Sequence, residues 1–341
     1  MMENIEVWQV YIFDGHSIHF SLAKNSKYIN RISEYSSFIE NHYVDGRNVS
    51  IKFPDEKRNL IILYLESMEN TLMDIENGGG WEYNVIPELT ELANENINFS
   101  HNNKIGSPHS IPGTEWTVAG MVASSAGIPL KIPVNGNKYT ETGNFIPGAY
   151  TLGDVLKENG YNLKLMVGSD ADFGGRRNYY QAHGNYEIFD VYTAIEKGKM
   201  REDEQVWWGF EDSRLFEWAK EEIIDLAQRK EPFSISILTA NTHFIDGYLE
   251  NGAENIYESQ YENVHAHSSK QVYDFINWLR EQDFYEMTTI IIIGDHRSMQ
   301  PGEFYSSKMV PGYYRTIYNT IINSTEEPIQ SKNRDFTILD F

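Results

Sequence analysis

The residues from Pro112 to Ser125 contain a threonine placed where a nucleophile could work. Thr114 follows the turn-forming pair Pro112-Gly113 and opens a run of small and apolar residues that predicts a helix over 114–125. Free backbone N–H groups and the positive end of the helix dipole favour an anion at such a position. A hydroxyl is a weak nucleophile until a base or a metal lowers its pKa, and without such a neighbour Thr114 would simply cap the helix.

Glu66 and the pair Asp295-His296 are the residues that could supply this activation. Each follows a short apolar run bounded by polar residues, which is typical of a parallel strand buried on both faces. Ligands gather at the carboxyl ends of such strands. Two carboxylates and an imidazole form a ligand set that suits Mn²⁺, Mg²⁺ or Zn²⁺. A metal held by these three residues could also bind the Thr114 oxygen and make it a nucleophile.

Two further predicted strands, 161–167 and 232–238, end close to residues that could hold an anionic substrate. Arg176 follows the first of them and His243 follows the second. Arginine suits phosphate because its planar fork matches two phosphate oxygens. We therefore expect both residues to clamp an anionic substrate beside the metal. The alternatives are a surface salt bridge for Arg176 and a supporting, buried role for His243.

Strands and helices alternate along the chain, and this alternation predicts an α/β fold with a mainly parallel central sheet and helices on both faces. Helices are predicted at 152–158, 213–229 and 262–282. Residues 1–50 are polar and aromatic with weak periodicity, so we interpret them as a lead-in segment. Residues 51–341 would then form the main domain.

The composition excludes several classes of protein. The net charge of −22 argues against a nucleic-acid-binding surface, which would need a basic stripe. The chain has no cysteine, which excludes disulfides, Cys-ligated zinc and a thiol nucleophile. It has no apolar run of about 18 residues, so no transmembrane helix is predicted. The first residues lack the basic and apolar regions of a signal peptide.

Three segments in combination resemble the catalytic domain of phosphoglycerol transferases. They are 59–67, 113–124 and 293–296. That group includes the enzymes that modify periplasmic glucans and, more distantly, lipoteichoic acid synthase, and it belongs to the alkaline phosphatase and sulfatase superfamily. The resemblance spans about residues 45–341 and implies an alkaline phosphatase-like fold. The segment 113–117 is more similar to the glucan branch than to the teichoic acid branch.

The resemblance also implies roles for individual residues. Glu66, Thr114, Asp295 and His296 would bind one divalent ion, with Mn²⁺ favoured over Mg²⁺ or Zn²⁺. Thr114 would be the nucleophile that accepts glycerol phosphate.

Substrate contacts are implied for Arg176, His243, Asp170 and Trp116. The teichoic acid enzymes carry His-Gly after the second strand, where this chain has Val167-Gly168. The resemblance therefore leaves the glycerol-side contact to Asp170 or Asp172.

The implied reaction moves glycerol phosphate from phosphatidylglycerol or a phosphoglycerol-bearing glycan to a glycan acceptor. It would take place in the periplasm or at the extracytoplasmic face of a bacterial inner membrane. Family members carry membrane helices before this domain and a strand and helix after it, so we expect membrane association only through segments outside this chain and a truncated C-terminus. A formylglycine sulfatase is excluded, because there is no cysteine and Ser107-Pro108-His109-Ser110 does not fit its motif.

Two other functions stay open. The same residues could serve a phosphodiesterase that releases glycerol phosphate to water. The 22 tyrosines and 7 tryptophans could instead belong to a glycan-binding module without enzymatic activity.

Overall fold

A computed structural model describes residues 7–12, 16–21, 45–133, 143 and 145–341 of the chain. Most of residues 1–50 lie outside this description, so the predicted lead-in segment stays a prediction. Its described part includes two antiparallel strands, β1 (Val7–Ile12) and β2 (His16–Ser21), which pair with each other.

A six-stranded sheet forms the centre of the molecule. Its strands are β3 (Asn59–Leu65), β4 (Asn162–Val167), β5 (Glu187–Phe189), β6 (Phe233–Leu238), β7 (Thr288–Gly294) and β8 (Asn319–Ile322). They lie in the order β5-β4-β6-β3-β7-β8, and every pair is parallel except the antiparallel pair β7-β8. The predicted mainly parallel α/β sheet is confirmed.

Eight α-helices are found among the described residues. They are α1 (Pro87–Glu95), α2 (Thr117–Ala126), α3 (Leu152–Glu158), α4 (Arg176–Ala182), α5 (Val191–Glu196), α6 (Asp212–Gln228), α7 (Gln260–Arg280) and α8 (Gly302–Lys308). None of them combines the length and apolar character that a membrane span requires.

The helices cover both faces of the sheet, as the central strand β3 demonstrates. Ile61 and Leu63 belong to one buried cluster, together with apolar residues of α1, α6 and α7. Ile62 and Tyr64 point the other way, into a second cluster with residues of α2, α3 and α4. Because successive side chains of a strand alternate between its faces, both faces of β3 are buried, which explains its continuous apolar sequence.

The strand register brings the carboxyl ends of four strands to one edge of the sheet. Leu65 of β3 pairs with Gly294 of β7, so the residues that follow them, Glu66 and Asp295, are neighbours. The Asp295 backbone N–H donates to the Leu65 carbonyl at 3.2 Å. Leu238 of β6 pairs with residues near the ends of both β3 and β4. The strand register thus brings Glu66 and Asp295 together at this edge of the sheet.

The helix predicted to start at Thr114 begins three residues later, at Thr117. Gly113 has a φ of +87° and the Thr114 hydroxyl donates to the Ile111 carbonyl at 2.8 Å, so the turn closes on itself. Trp116 is extended, with φ −151° and ψ 160°, and occupies the N-cap position. The prediction of the helix start was therefore wrong, because the residues before Trp116 belong to the turn and Trp116 itself is the N-cap.

Candidate metal centre

Glu66, Asp295 and His296 lie together at the carboxyl edge of the sheet, each 3% exposed or less. One potential ligand atom from each lies within 4.8 Å of those of the other two. The Nε2 atom of His296 is 3.3 Å from Glu66 Oε1 and 3.5 Å from Asp295 Oδ2. The structure therefore brings together three of the four residues predicted to bind the metal.

Local hydrogen bonds orient these three side chains. The Oδ1 atom of Asp295 accepts from the backbone N–H groups of Ser67 and His296, at 2.8 and 2.7 Å. The Ser67 hydroxyl donates to Glu66 Oε1 at 2.8 Å. The Nδ1 atom of His296 lies 2.8 Å from the Arg297 carbonyl, so Nδ1 carries a proton and Nε2 is the ring nitrogen that faces the two carboxylates.

Two features of the centre fit a divalent ion. The Asp295 Oδ2 atom is buried and has no hydrogen-bond partner among the described residues, although it faces the other ligands. Carboxylate oxygens and an imidazole nitrogen are ligands for Mn²⁺, Mg²⁺ or Zn²⁺. Buried charges are normally paired or coordinate metals, so an unpartnered carboxylate oxygen among these ligands fits the binding of a cation.

The electrostatics of the centre lead to the same requirement. Burial and the charge of Glu66 raise the pKa of Asp295 well above its usual range. Burial would raise the pKa of Glu66 as well, but the neighbouring His296 cation lowers it. Burial lowers the pKa of His296, but the negative charges of Asp295 and Glu66 outweigh burial and raise this pKa to about 10. Two buried carboxylates therefore demand positive charge, which a proton on His296 or a divalent ion can supply.

Thr117, which the sequence did not single out, is the threonine that touches this centre. Its hydroxyl donates to Glu66 Oε2 at 3.1 Å and lies 3.5 Å from His296 Nε2. It is also the first residue of α2, where helix N–H groups favour an anion. Thr114 instead donates to Ile111 and only shares a small cavity with Asp295 and His296. Of these two threonines, Thr117 contacts the carboxylate and the imidazole of the centre, and the predicted Thr114 does not.

Gly120 explains how α2 comes so close to the metal ligands. A Cβ atom at this position would lie 1.9 Å from the Asp295 carbonyl oxygen. Thr117 and Gly120 are three residues apart and hence share one face of the helix. The pattern Thr-x-x-Gly at a helix start was the signal in the sequence that could have identified Thr117.

Arg176 begins α4 and is 5% exposed. One terminal nitrogen, Nη2, donates to the Ser169 hydroxyl at 3.0 Å and to the Asp170 carbonyl at 2.6 Å. Its Nε atom is buried without a partner among the described residues. Burial lowers the pKa of Arg176, while the charges of Glu66 and Asp295 oppose this effect. The guanidinium thus lies within electrostatic range of the centre and keeps a donor available for an anion.

His243 lies after β6 and is half-buried. Its Nδ1 atom is 2.6 Å from the Phe244 carbonyl, and its ring packs on Trp208 with a centroid distance of 4.8 Å. The residue before it, Thr242, donates its hydroxyl to the Glu66 backbone carbonyl. The structure therefore places His243 beside the centre, on the side of Trp208.

The other two residues predicted to contact the substrate, Asp170 and Trp116, make local contacts in the structure. The Asp170 carboxylate accepts from the Asp172 backbone N–H at 2.8 Å, which commits it to its own turn. Trp116 packs closely against Gly174, where a Cβ atom would lie 2.9 Å from the indole ring. Trp116 therefore supports the loop that leads into Arg176, and a direct substrate contact for it or for Asp170 stays a prediction.

Comparisons with known proteins agree with this architecture. Residues 58–317 match the model of the family described as Sulfatase. Phosphoglycerol transferase I of Escherichia coli is 31% identical over 255 residues, which cover 72% of this chain and 32% of that protein. The chain thus spans about a third of the length of the curated relatives it matches.

Solved structures share the fold. The lipoteichoic acid synthase LtaP from Listeria monocytogenes superimposes with a TM-score of 0.58 at 18% identity, covering 80% of this chain and 69% of that one. The Streptococcus pyogenes phosphoglycerol transferase GacH, solved in complex with sn-glycerol-1-phosphate, gives 0.53 at 17% identity, covering 81% and 71%. Since the family match extends over most of the chain, the protein belongs to the sulfatase family and has an alkaline phosphatase-like fold.

Proposed function

We propose that this protein is a metal-dependent phosphoglycerol transferase that acts through a glycerophosphoryl-threonine intermediate at Thr117. The observation that carries the proposal is the Thr117 hydroxyl, hydrogen-bonded to Glu66 and next to His296 at the start of a helix. The names of relatives such as phosphoglycerol transferase I support glycerol phosphate as the group transferred.

Glu66, Asp295 and His296 would hold the divalent ion, with Mn²⁺ the first candidate. When bound, the ion supplies positive charge to the threonine oxygen and to the phosphate oxygens. Glu66 orients the Thr117 hydroxyl and is positioned to accept its proton. The helix N-terminus behind Thr117 and the free Nε–H of Arg176 stabilise the phosphate charge.

Two displacements at phosphorus then complete the reaction. In the first, Thr117 Oγ1 bonds to the phosphorus of the donor diester, and the bond from phosphorus to the leaving oxygen breaks. The threonine proton passes to Glu66, and the leaving oxygen takes up a proton from His243 or water. In the second, a glycan hydroxyl bonds to the same phosphorus and gives its proton to His243 or water, the bond to Oγ1 breaks, and Thr117 recovers its proton from Glu66.

The donor would be phosphatidylglycerol or a phosphoglycerol-bearing glycan, and the acceptor a glycan. Support comes from the named relatives and from the complex of GacH with sn-glycerol-1-phosphate. The reaction would take place in the periplasm or at the extracytoplasmic face of a bacterial inner membrane.

The decisive experiment identifies the labelled residue. Protein with Mn²⁺ and phosphatidylglycerol labelled in its headgroup is trapped by acid, digested and analysed by mass spectrometry. We expect the label on Thr117, and we expect Thr117→Ala to lose turnover by at least about 10³-fold. Thr114→Ala, the matched control three residues away, should retain turnover. Label on Thr114, or normal turnover by Thr117→Ala, would contradict the assignment.

The same assay separates transfer from hydrolysis. Transfer produces a glycan that carries phosphoglycerol and depends on the added acceptor. A phosphodiesterase would release free glycerol phosphate at the same rate with and without the glycan. Binding of glycan without turnover or label would support the non-enzymatic alternative instead.

A further inference from the structure

We propose that the turn carrying Trp207 and Trp208, together with Phe173, is a stacking platform for the sugar rings of a neutral glycan acceptor. This inference rests on the proposed function, because it names the place where the second substrate of the transferase binds. We call these three residues the aromatic platform. The two tryptophans are each 45% exposed and Phe173 is 37% exposed.

The turn itself is built to hold its two tryptophans outward. Val206 and Gly209 exchange two backbone hydrogen bonds of 2.8 Å, which leaves Trp207 and Trp208 at the tip of a two-residue loop. Trp207 has a φ of +50°, in the left-handed region that bulky residues rarely adopt. Glycine or asparagine would fit this position better, so local folding preference does not explain a tryptophan there.

The turn is fixed to the sheet edge that carries the metal centre. The Phe210 N–H donates to the Gly168 carbonyl at 2.8 Å, directly after β4. A Cβ atom on Gly209 would lie 2.1 Å from the same carbonyl oxygen, so only glycine permits this approach. The platform is thus preorganised, and a ligand would bind it with little loss of conformational entropy in the protein.

The platform is continuous with the residues proposed to bind the transferred group. The Trp208 ring centroid lies 4.8 Å from that of His243 and 5.9 Å from that of Phe173. The Arg176 guanidinium lies 5.8 Å from the Phe173 ring centroid. An acceptor bound on this surface would therefore extend toward the phosphorus atom that its hydroxyl must attack.

Charge identifies a neutral sugar as the occupant in preference to an anionic lipid surface. The residues just before the turn, 202–204, are Glu-Asp-Glu, and Glu202 and Asp203 are exposed. The neighbouring Arg201 pairs with two acids of this run, at 2.9 and 3.2 Å. Carboxylates repel phosphate headgroups but accept hydrogen bonds from sugar hydroxyls. The electron-rich faces of aromatic rings attract the C–H face of a pyranose.

The test measures binding of a neutral β-linked gluco-oligosaccharide by calorimetry, on the full chain with Mn²⁺. We expect Trp208→Ala and Trp207→Asn to weaken binding by about tenfold or more and to raise the acceptor KM. Asparagine at position 207 keeps the left-handed backbone, so the fold is preserved. The matched control is Trp278→Phe. Trp278 stacks on Phe275 near the C-terminal end of α7, so this variant should bind the oligosaccharide normally.

Three results would overturn the inference. They are absence of oligosaccharide binding by the unmodified protein, unchanged affinity in both platform variants, and tryptophan-dependent binding to phosphatidylglycerol vesicles in place of the sugar. Thr117→Ala keeps this outcome separate from the proposed chemistry. We expect that variant to bind the oligosaccharide normally while it fails to accept label from the donor.

Discussion

At the scale of single residues, the metal centre concentrates two carboxylates and an imidazole that are almost completely buried. Anything that binds the folded state alone stabilises it, by about 2.7 kcal/mol at a ligand concentration of 100 times Kd. We therefore expect Mn²⁺ to raise the Tm and a chelator to reverse the shift. Asp295→Asn, which removes one charge and keeps the shape, should abolish most of this shift in a thermal melt.

A surface carboxylate provides the control for this metal effect. Asp335 is fully exposed and contacts only His109, at 3.4 Å, among the ion pairs of the described residues. Asp335→Asn should therefore keep the Mn²⁺ shift of the unmodified protein. An undiminished shift in Asp295→Asn would mean that the stabilising ion binds elsewhere.

His265 is a second residue whose environment makes a measurable prediction. It is fully buried in α7, and neither ring nitrogen has a hydrogen-bond partner among the described residues. Burial lowers the pKa of His265 to about 3, whereas an unfolded histidine titrates near 6.5. The folded state must keep this ring neutral, so its contribution to stability is present above pH 6.5 and is lost as the pH falls toward 3.

His265→Leu removes this pH dependence of stability and replaces the imidazole with an apolar side chain of similar size. At about pH 5 the histidine costs about 2 kcal/mol of unfolding free energy relative to neutral pH, since each pKa unit is worth about 1.4 kcal/mol. Urea unfolding at about pH 5 and pH 7.5 should show a smaller loss for the variant than for the unmodified protein. Equal losses in both proteins would show that His265 finds a partner or stays protonated.

At the scale of elements, the loop after β7 is held by one buried ion pair. Arg315 donates to both oxygens of Glu69, which is completely buried and also accepts from the Ser298 backbone N–H at 2.8 Å. Arg315→Met leaves the carboxylate without its cation and should lower the unfolding free energy by about 3–5 kcal/mol. Because Ser298 is two residues from His296, the affinity for Mn²⁺ should fall as well.

The double variant Glu69→Gln/Arg315→Met distinguishes loss of a charge pair from loss of packing. Glutamine can still accept from Ser298 but carries no charge that needs a partner. Chemical denaturation should therefore find the double variant more stable than Arg315→Met alone. If the two have equal stability, the arginine acts through its packing on the Tyr305 ring, which lies 3.5 Å from its guanidinium carbon.

The elements also explain which parts of the fold the sequence could predict. Strands such as β3 and β7 are continuous apolar runs because both of their faces are buried, and parallel pairing sets their ends side by side. Glu66 and Asp295 could therefore be placed at one edge from the sequence. The strand β8 has only four residues, Asn319–Ile322, and pairs antiparallel at the sheet edge. It therefore lacks the long apolar run from which a strand could be predicted.

The threonine and the aromatic platform needed the three-dimensional structure. A Pro-Gly turn followed by small residues predicts a helix start, but how many residues the turn uses depends on the Thr114–Ile111 hydrogen bond. The approach of α2 to Asp295 depends on the contact of Gly120 with a residue distant in sequence. The position of Trp208 likewise depends on the contact between Gly209 and Gly168, and local patterns carry no information about such distant contacts.

At the scale of the whole molecule, the excess of acidic residues sets the response to salt. The chain has 50 acidic and 28 basic residues, which give a net charge of −22. Such a charge destabilises the compact state through self-repulsion, and salt screens it over a Debye length of about 10 Å at 0.1 M. We expect the Tm to rise between about 0.02 M and 0.5 M sodium chloride, in a thermal melt with chelator present.

Whether salt raises or lowers the Tm shows which effect dominates at the surface, the net repulsion between acidic residues or the attraction within local ion pairs. Most ion pairs between the described residues are partly exposed, as between Arg229 and Asp225 at 2.7 Å, and such pairs are worth about 0–1 kcal/mol each. Screening weakens them, so a fall in Tm would mean that local pairs outweigh the net repulsion. Potassium chloride at equal ionic strength should reproduce the rise, because screening depends on valence and not on the identity of the ion. A rise with one salt only would instead indicate a specific ion site.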